Sequence, residues 1–282
     1  MLSTTKGNSV KHPILLFALG AGAPALALGI AAPNAAADST AASTHPKPGI
    51  AVSVNGNTVK LGNADASTAK GSHSVAVAIN GSTASAGGTH DLAVAINNST
   101  ATTSGGTRTV AIAINNSTAT AGDGTNNRAV AINNGDAYAR TGDNNYAKAT
   151  NNAKAVAWRG NNNTAIVDGT CPKGVVCAQS SVGAGVGDNN TAKVTGGNAE
   201  IGVGTGDNNH LVSNGTGNKL TAGYGNNNTV TVNGNNDYGR AGGTLSSHSD
   251  NNSLTINGDG YRQSTGAVAT GGTTVILPAP TP

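Results

Sequence analysis

A short phrase, VAVAIN at residues 75–80, occurs four times with small changes and decides the fold. It returns as LAVAIN at 92–97, VAIAIN at 110–115 and AVAIN at 129–133. Each copy alternates a large aliphatic residue with alanine, the period-two pattern of a strand with one buried face. After each asparagine comes a turn and a second short alternation, such as TATA at 118–121. Each unit of about 18 residues therefore holds two strands and two turns.

The second half of the chain changes the phrase but keeps the spacing. GDNNTAKV at 187–194, GNNNTVTV at 225–232 and SDNNSLTI at 249–256 share a turn-forming tetrad followed by an alternating strand. The copies that start at 187, 206 and 225 are 19 residues apart. Weaker half-copies lie between them, which indicates that these units also contain two strands.

These repeats predict an all-β chain folded as a β-solenoid, a parallel β-helix or β-roll of two-strand units of about 18–19 residues. Units this short cannot bury a face alone, so they must stack on their neighbours. Stacking is expected to align valine over valine in the interior and asparagine over asparagine in side-chain ladders at the turns. An antiparallel β-meander is the alternative, because the Asn-Gly pairs at 55–56, 80–81 and 233–234 are typical of hairpins. Identical turn residues in successive units favour the solenoid.

The N-terminal region has the features of a secretory signal peptide. Two lysines precede an apolar run over 14–30, and small residues end it, so cleavage is expected between Ala37 and Asp38. Retention as a membrane anchor is the alternative, which Pro24 and several glycines disfavour. The predicted organisation is a signal peptide at 1–37, a flexible lead-in at 38–48, a block of AVAIN-type units at 49–141, a block of GDNN-type units at 142–277 with a disulfide loop at 171–177, and a Pro-rich tail at 278–282.

Composition and charge exclude several kinds of partner. The chain has 16 Lys and Arg and 13 Asp and Glu, and two of the lysines lie in the signal peptide, which leaves 14 against 13. A nearly neutral chain predicts no nucleic-acid partner, and no membrane partner is expected after cleavage. Abundant Val, Ile and Thr with little charge disfavour disorder. Cys171 and Cys177, the only cysteines, predict a local disulfide in an exported chain.

The first block resembles the head repeats of trimeric autotransporter adhesins. The likeness lies over 75–133 and is carried by AVAINNSTA at 93–101, although that family has glycine where this chain has Asn97. The resemblance implies a β-roll that binds host matrix or cell surfaces.

The second block is similar to curlin-type repeats over 142–256, through phrases such as GDNNTAKV at 187–194. The resemblance implies an extracellular fibre built by self-assembly. Curlin strands carry glutamine at regular positions, whereas this chain has only Gln179 and Gln263.

The titratable residues do not form a pattern typical of catalysis. Glu200 is the only glutamate, and the histidines are scattered in polar surroundings without ligand spacing. Six aspartates directly follow a glycine and are interpreted as turn residues: Asp123, Asp136, Asp143, Asp188, Asp207 and Asp259. No enzyme activity is therefore expected, and no catalytic, cofactor-binding or metal-binding residue is assigned.

Two further binding classes remain as alternatives. The stretch GTGDNNHL at 204–211 resembles a calcium-binding nonapeptide but displaces its aspartate by one position. The hydroxyl residues at 83–85, 100–102 and 118–120 would stack as two columns on one face, as in ice-binding solenoids. The β-propensity of threonine on a solvent face is the simpler explanation and is favoured over ice binding.

We therefore expect a secreted or cell-surface protein with a structural or adhesive role and no catalytic site. Its partners would be further copies of itself or an extracellular matrix or cell-surface ligand. A self-assembling curlin-like fibre, and an ice-binding or calcium-binding solenoid, are the alternatives.

Overall fold

A computed structural model of the chain describes residues 48–169, 180–244, 247–264 and 274–277. The predicted signal peptide, its cleavage point at Ala37 and Asp38, and the predicted disulfide between Cys171 and Cys177 lie outside these residues. Everything regular in the described ranges is β-strand, and short turns connect the strands.

The described residues form 24 strands of three to five residues. They are β1 Ile50–Val54, β2 Asn57–Leu61, β3 Asp65–Thr68, β4 Val75–Ile79, β5 Thr83–Ala86, β6 Leu92–Ile96, β7 Thr100–Ser104, β8 Val110–Ile114, β9 Thr118–Gly122, β10 Arg128–Ile132, β11 Asp136–Arg140, β12 Tyr146–Thr150, β13 Lys154–Trp158, β14 Thr164–Asp168, β15 Ser181–Ala184, β16 Thr191–Thr195, β17 Glu200–Val203, β18 His210–Asn214, β19 Lys219–Ala222, β20 Thr229–Val232, β21 Tyr238–Ala241, β22 Ser253–Ile256, β23 Arg262–Ser264 and β24 Thr274–Leu277.

The strands form two parallel sheets stacked as a β-solenoid, which confirms the predicted fold. From β2 onward, successive strands alternate between the sheets, so each unit contributes one strand to each. The first sheet runs β2-β1-β4 and then through the even-numbered strands to β24, and the second runs from β3 through the odd-numbered strands to β23. Equivalent residues pair in register, as in Val110 with Arg128. Both ladders continue across the boundary between the blocks and from the strands before residues 170–179 to the strands after them.

The N-terminal end departs from the parallel pattern. Strands β1 and β2 form an antiparallel hairpin, and β1 also pairs antiparallel with β4. The prediction of a meander is therefore right only for this hairpin. Strand β2 is exposed throughout and carries Lys60, which forms an ion pair with Asp65 at the edge of the second sheet. A charged antiparallel strand at this edge disfavours addition of another parallel strand.

The interior of the first block is built from alanine, which corrects the prediction of valine over valine. In β4, β6 and β8 the alanines are fully buried, while the large aliphatic residues point outward and are partly exposed. The facing strands also bury alanine, and they lie close together across the core. Single alanine side chains fill so narrow a space, whereas valine in their place would overpack it.

In the second block the core widens and takes larger side chains. Leu211, Val230 and Leu254 are buried on the first sheet, and Leu220 is buried on the second. Gly239 leaves room for them, because a Cβ there would lie 3.0–3.4 Å from three of these side chains. Large and small residues therefore complement each other across the two sheets.

A ladder of asparagines runs through the interior at the turn that leads from the second sheet back to the first. Its members are Asn127, Asn145, Asn163, Asn190, Asn209, Asn228 and Asn252. The backbone N–H of Asn163 donates to Oδ1 of Asn145 at 3.0 Å, and Nδ2 of Asn145 donates to the carbonyl of Gly160 at 2.8 Å. Most of these amides therefore satisfy buried backbone groups of the next unit.

The rest of the GDNN tetrad serves the same turn. Gly206 has a φ of 140°, and a Cβ there would collide with the carbonyl oxygen of Gly225. The Asp207 carboxylate accepts the backbone N–H of Asp188 at 2.7 Å, and Asn208 has a φ of 57°. Each residue type thus meets one requirement of the turn. Glycine allows the close approach of the next unit, aspartate accepts a backbone N–H, and asparagine adopts the left-handed conformation.

Candidate functional site

The outer side of the first sheet carries a continuous aliphatic surface over its N-terminal half. Because alanine faces inward, every outward position of β1, β4, β6 and β8 is Val, Ile or Leu, and β2 and β10 extend the surface. We call this surface the aliphatic face. It consists of Val59, Leu61, Ile50, Val52, Val54, Val75, Val77, Ile79, Leu92, Val94, Ile96, Val110, Ile112, Ile114, Val130 and Ile132.

The aliphatic face is large for a solvent-exposed surface. The face spans six strands about 4.8 Å apart and five residues per strand with a rise of about 3.4 Å each. Its dimensions are therefore about 29 by 17 Å, a projected area of about 500 Å². Ile50 is 52% exposed, Val59 70% and Leu61 74%. The largest apolar patch of a monomer is typically about 300–600 Å² and is often functional, so this face is a candidate site of association.

Charged and polar residues limit the aliphatic face toward the C-terminal units. In the same three columns β10 and β12 introduce Arg128 and Lys148, and later strands introduce Asp168 and Lys193. The two blocks therefore present different surfaces on one continuous sheet, apolar in the first and polar in the second.

The hydroxyl residues of the first block form two columns on the outer side of the second sheet, as the sequence predicts. Thr83, Thr100 and Thr118 pair in register in one column, and Ser85, Thr102 and Thr120 do so in the other. The columns end at β11, where Asp136 and Tyr138 take their places.

At β11 and β13 bulky side chains replace the hydroxyl residues. We call Tyr138, Arg140, Lys154, Trp158 and Arg159 the aromatic–cation cluster. The Arg140 guanidinium lies 5.1 Å and the Lys154 ammonium 5.7 Å from the centre of the Tyr138 ring. The Arg159 guanidinium lies 4.2 Å from the centre of the Trp158 ring, which is within the range of cation–π attraction. Burial, followed by the charge of Asp136, raises the pKa of Tyr138, so its hydroxyl stays neutral at physiological pH.

The carboxylates of the described residues serve structural contacts. Asp143 accepts the backbone N–H of Thr125 at 2.6 Å, and Asp207 has the same role at the same corner three units later. Glu200 forms an ion pair with Lys219 at 2.9 Å. In the described ranges, no group of three or more His, Cys, Asp or Glu side chains could hold a metal ion.

Sequence reasoning missed the two most distinctive surfaces. The aliphatic face was assigned to the core, because period two fits either orientation of a strand. None of the predicted sites includes the aromatic–cation cluster. Its signal was available, because an 18-residue period aligns Arg140 with Trp158.

Comparisons with protein-family models, curated proteins and solved structures gave no match. Within the part of the chain that the structure describes, no helix is long and apolar enough to cross a membrane.

Proposed function

We propose that this chain is an exported, non-catalytic structural protein that associates with a second copy of itself through the aliphatic face. The observation that carries the proposal is the uninterrupted set of outward Val, Ile and Leu side chains on β1, β4, β6 and β8. Water-exposed aliphatic surface of this extent is costly, and burying it drives association.

A second copy fits this surface in shape and in area. A flat sheet face is self-complementary, and two such faces pack about 10 Å apart in β-sandwiches. Two copies would remove about 1,000 Å² of plan area from solvent, which is the lower limit for a specific interface. The outward positions of β1, β4, β6 and β8 carry no charged side chain, and Arg128 of β10 lies at the border of the face, so no like charges would meet at the centre of a two-fold dimer.

The first test is the double substitution V94T/I112T, at neighbouring positions in the central column. Threonine retains β-propensity, so the fold should persist. In a two-fold dimer four apolar contacts would be weakened by about 1 kcal/mol each, which corresponds to a Kd about 1,000-fold higher. Sedimentation velocity over a range of concentrations measures the change.

The matched control is V212T, because Val212 occupies the same column in the second block between Lys193 and Thr231. It should leave association unchanged. A chain that stays monomeric at high concentration, or equal effects of both variants, would contradict the proposal. Thioflavin-positive fibres that form equally well in V94T/I112T would favour the curlin-like alternative. Retention of the monomer on hydrophobic beads would favour adhesion to a surface.

Export is a separate part of the proposal and rests on the N-terminal sequence pattern. In a bacterial host the full chain should be found outside the cytoplasm with Asp38 as its first residue. Mass spectrometry of the exported protein measures this, and an intact N-terminus in the membrane fraction would favour the anchor.

Ice binding is a second candidate, which the registered threonine columns of β5, β7 and β9 favour. Flat arrays of regularly spaced hydroxyl and methyl groups are the feature expected of such a surface. An ice-recrystallisation assay of the native chain against T102K tests it, and equal activity of the two would exclude this surface.

A further inference from the structure

The outer side of the second sheet carries a continuous groove that neither the aliphatic face nor the hydroxyl columns use. Its first part is an open space of about 500 Å³ beside Tyr138 and Trp158. A second space of about 330 Å³ continues over β15, β17 and β19. Lys154 and Val156 line both spaces, so the two spaces adjoin, and we call them together the groove. From β11 to β19 it crosses four strand spacings, or about 19 Å.

Two glycines form the floor of this groove. Gly183 and Gly202 occupy the outward column that Tyr138 and Val156 occupy on the preceding strands. A Cβ at either glycine would meet no atom within 4 Å, and neither has a positive φ. Neither packing nor backbone conformation therefore requires glycine here, although glycine weakens a strand. Its effect is to leave the groove open.

The groove begins at a set of cations held by aromatic rings. Arg140 and Lys154 lie against Tyr138, and Arg159 lies against Trp158. Among the described residues the two ion pairs are Lys60–Asp65 and Glu200–Lys219, so none of these three cations has a carboxylate partner within 4.0 Å. Two carboxylates also line the groove, Asp123 and Glu200, and Lys219 neutralises the second of them. Cations positioned in this way can accept an anionic ligand at little cost in side-chain entropy.

The exposed part of the cluster includes an aromatic surface. Trp158, the only tryptophan of the chain, is 43% exposed although tryptophan is normally well buried. An exposed indole packs against the C–H face of a sugar ring, while guanidinium and ammonium groups bind carboxylates. The same groove therefore offers contacts for a pyranose ring and for its acidic substituent.

We propose that this groove binds a linear acidic polysaccharide, a chain of uronate sugars. One sugar ring would stack on Trp158, neighbouring carboxylates would bind Arg140 and Lys154, and the chain would extend over Gly183 and Gly202. The length of the groove selects an extended polymer over a single sugar. The site lies on the sheet opposite the aliphatic face, so it does not depend on self-association.

The fluorescence of Trp158 reports on ligand binding in the groove. Titration of the exported full-length chain with oligogalacturonate should change its fluorescence saturably, and the Kd should rise with ionic strength. Neutral cello-oligosaccharides and poly-glutamate, which supply the sugar ring or the charge alone, should each bind at least about tenfold more weakly. Absence of saturable binding, or equal binding of either control, would overturn the proposal.

Substitution of the groove floor separates binding from folding. In G202V the valine side chain enters open space on a strand, so the circular dichroism spectrum and melting temperature should be retained. Calorimetry should nevertheless find oligogalacturonate binding at least about tenfold weaker. S85V, in the same column but outside the groove, is the control and should bind normally. Unchanged binding by G202V would overturn the proposed path of the polymer.

The cations are tested by R140Q, which keeps a long polar side chain. This variant should lose most of its preference for oligogalacturonate over the neutral oligosaccharide, and the salt dependence of its Kd should weaken. A preference as strong as that of the native chain would contradict the role given to Arg140. Polysaccharide binding and self-association can be tested separately, because V94T/I112T should lose self-association but bind oligogalacturonate normally.

Discussion

Asp237 occupies a position where the preceding unit has Asn218, and the exchange leaves a polar atom without a partner. The Asn218 amide donates from Nδ2 to the carbonyl of Gly234 at 2.7 Å. Asp237 is 2% exposed and accepts the backbone N–H of Tyr261 at 2.7 Å through Oδ1, but Oδ2 is buried without a hydrogen-bond partner. The Asp237 carboxylate can still accept a hydrogen bond as the Asn218 amide does, but it has no N–H group to donate one.

The substitution D237N should therefore stabilise the protein. Its new Nδ2 can donate to the carbonyl of Gly258, the next member of the stack of turn glycines. A gain of about 1 kcal/mol, or about 2–4 °C in melting temperature at neutral pH, is expected. D259N, on the exposed part of the same turn, is the control and should shift the melting temperature less.

The pH dependence of this gain follows from the sign of the pKa shift. Burial raises the pKa of Asp237 above its ordinary value of 3.8, so the folded state binds the proton more tightly than the unfolded state. The native chain therefore loses stability as the pH rises through the raised pKa, and this loss is absent below about 3.8. The difference between D237N and the native chain should be largest at neutral pH and smallest in acid. A difference that grows toward acid pH would contradict this account.

At the scale of the element, the turn glycine of the GDNN tetrad is the residue that the fold cannot replace. In G206A the added methyl group would strain a φ of 140° and collide with the next unit at Gly225. We expect a loss of about 3 kcal/mol, measured by urea unfolding. The control G202A adds the same methyl group to a strand glycine with open space and should be neutral or slightly stabilising. Equal losses in both variants would show that the turn is not specially constrained.

The strand elements show what could be predicted from the sequence and what could not. The period of 18 residues, the two strands per unit and the asparagine ladders followed from the repeats. The orientation of VAVAI did not, because alternation fits alanine inside as well as valine inside. The deciding signal was in the facing strand at 83–86, where alanine alternates with Thr and Ser. Hydroxyl residues at 83 and 85 face solvent, so alanine faces inward on the second sheet. The space between the sheets is then too narrow for valine, so alanine also faces inward on the first sheet and its large aliphatic residues face outward.

At the scale of the molecule, the aliphatic face repeats one outward pattern in successive units, whereas the aromatic–cation cluster arises from a departure from the repeat. A regular solenoid presents the same side chain in each unit, and the alignment of unlike residues is what creates a localised site. Tyr138 and Trp158 belong to different units and become neighbours only through the register of β11 and β13. The sequence contains these residues, but predicting that they are neighbours requires knowing the exact number of residues in each unit. For this reason composition alone does not indicate a localised site.

The repeat architecture also makes the whole molecule tolerant of deletion in phase. Removal of residues 92–109 joins Asp91 to Val110, which are already placed to continue the ladder, because Leu92 and Val110 pair in register. Stability in a stacked array is a sum of unit and interface terms, so the shortened chain should retain its β-sheet circular dichroism and cooperative unfolding.

The same deletion should weaken self-association, because it removes β6, one of the four complete aliphatic strands of the face. Removal of residues 92–100 is the matched control. It removes an odd number of residues, so the remainder of β7, a second-sheet strand, takes the place of β6 in the first sheet. The odd shift also turns the buried side chains of that strand outward. This chain should fail to fold. If the 9-residue deletion folded as well as the 18-residue deletion, the register that builds both the core and the aliphatic face would not be fixed by the repeat.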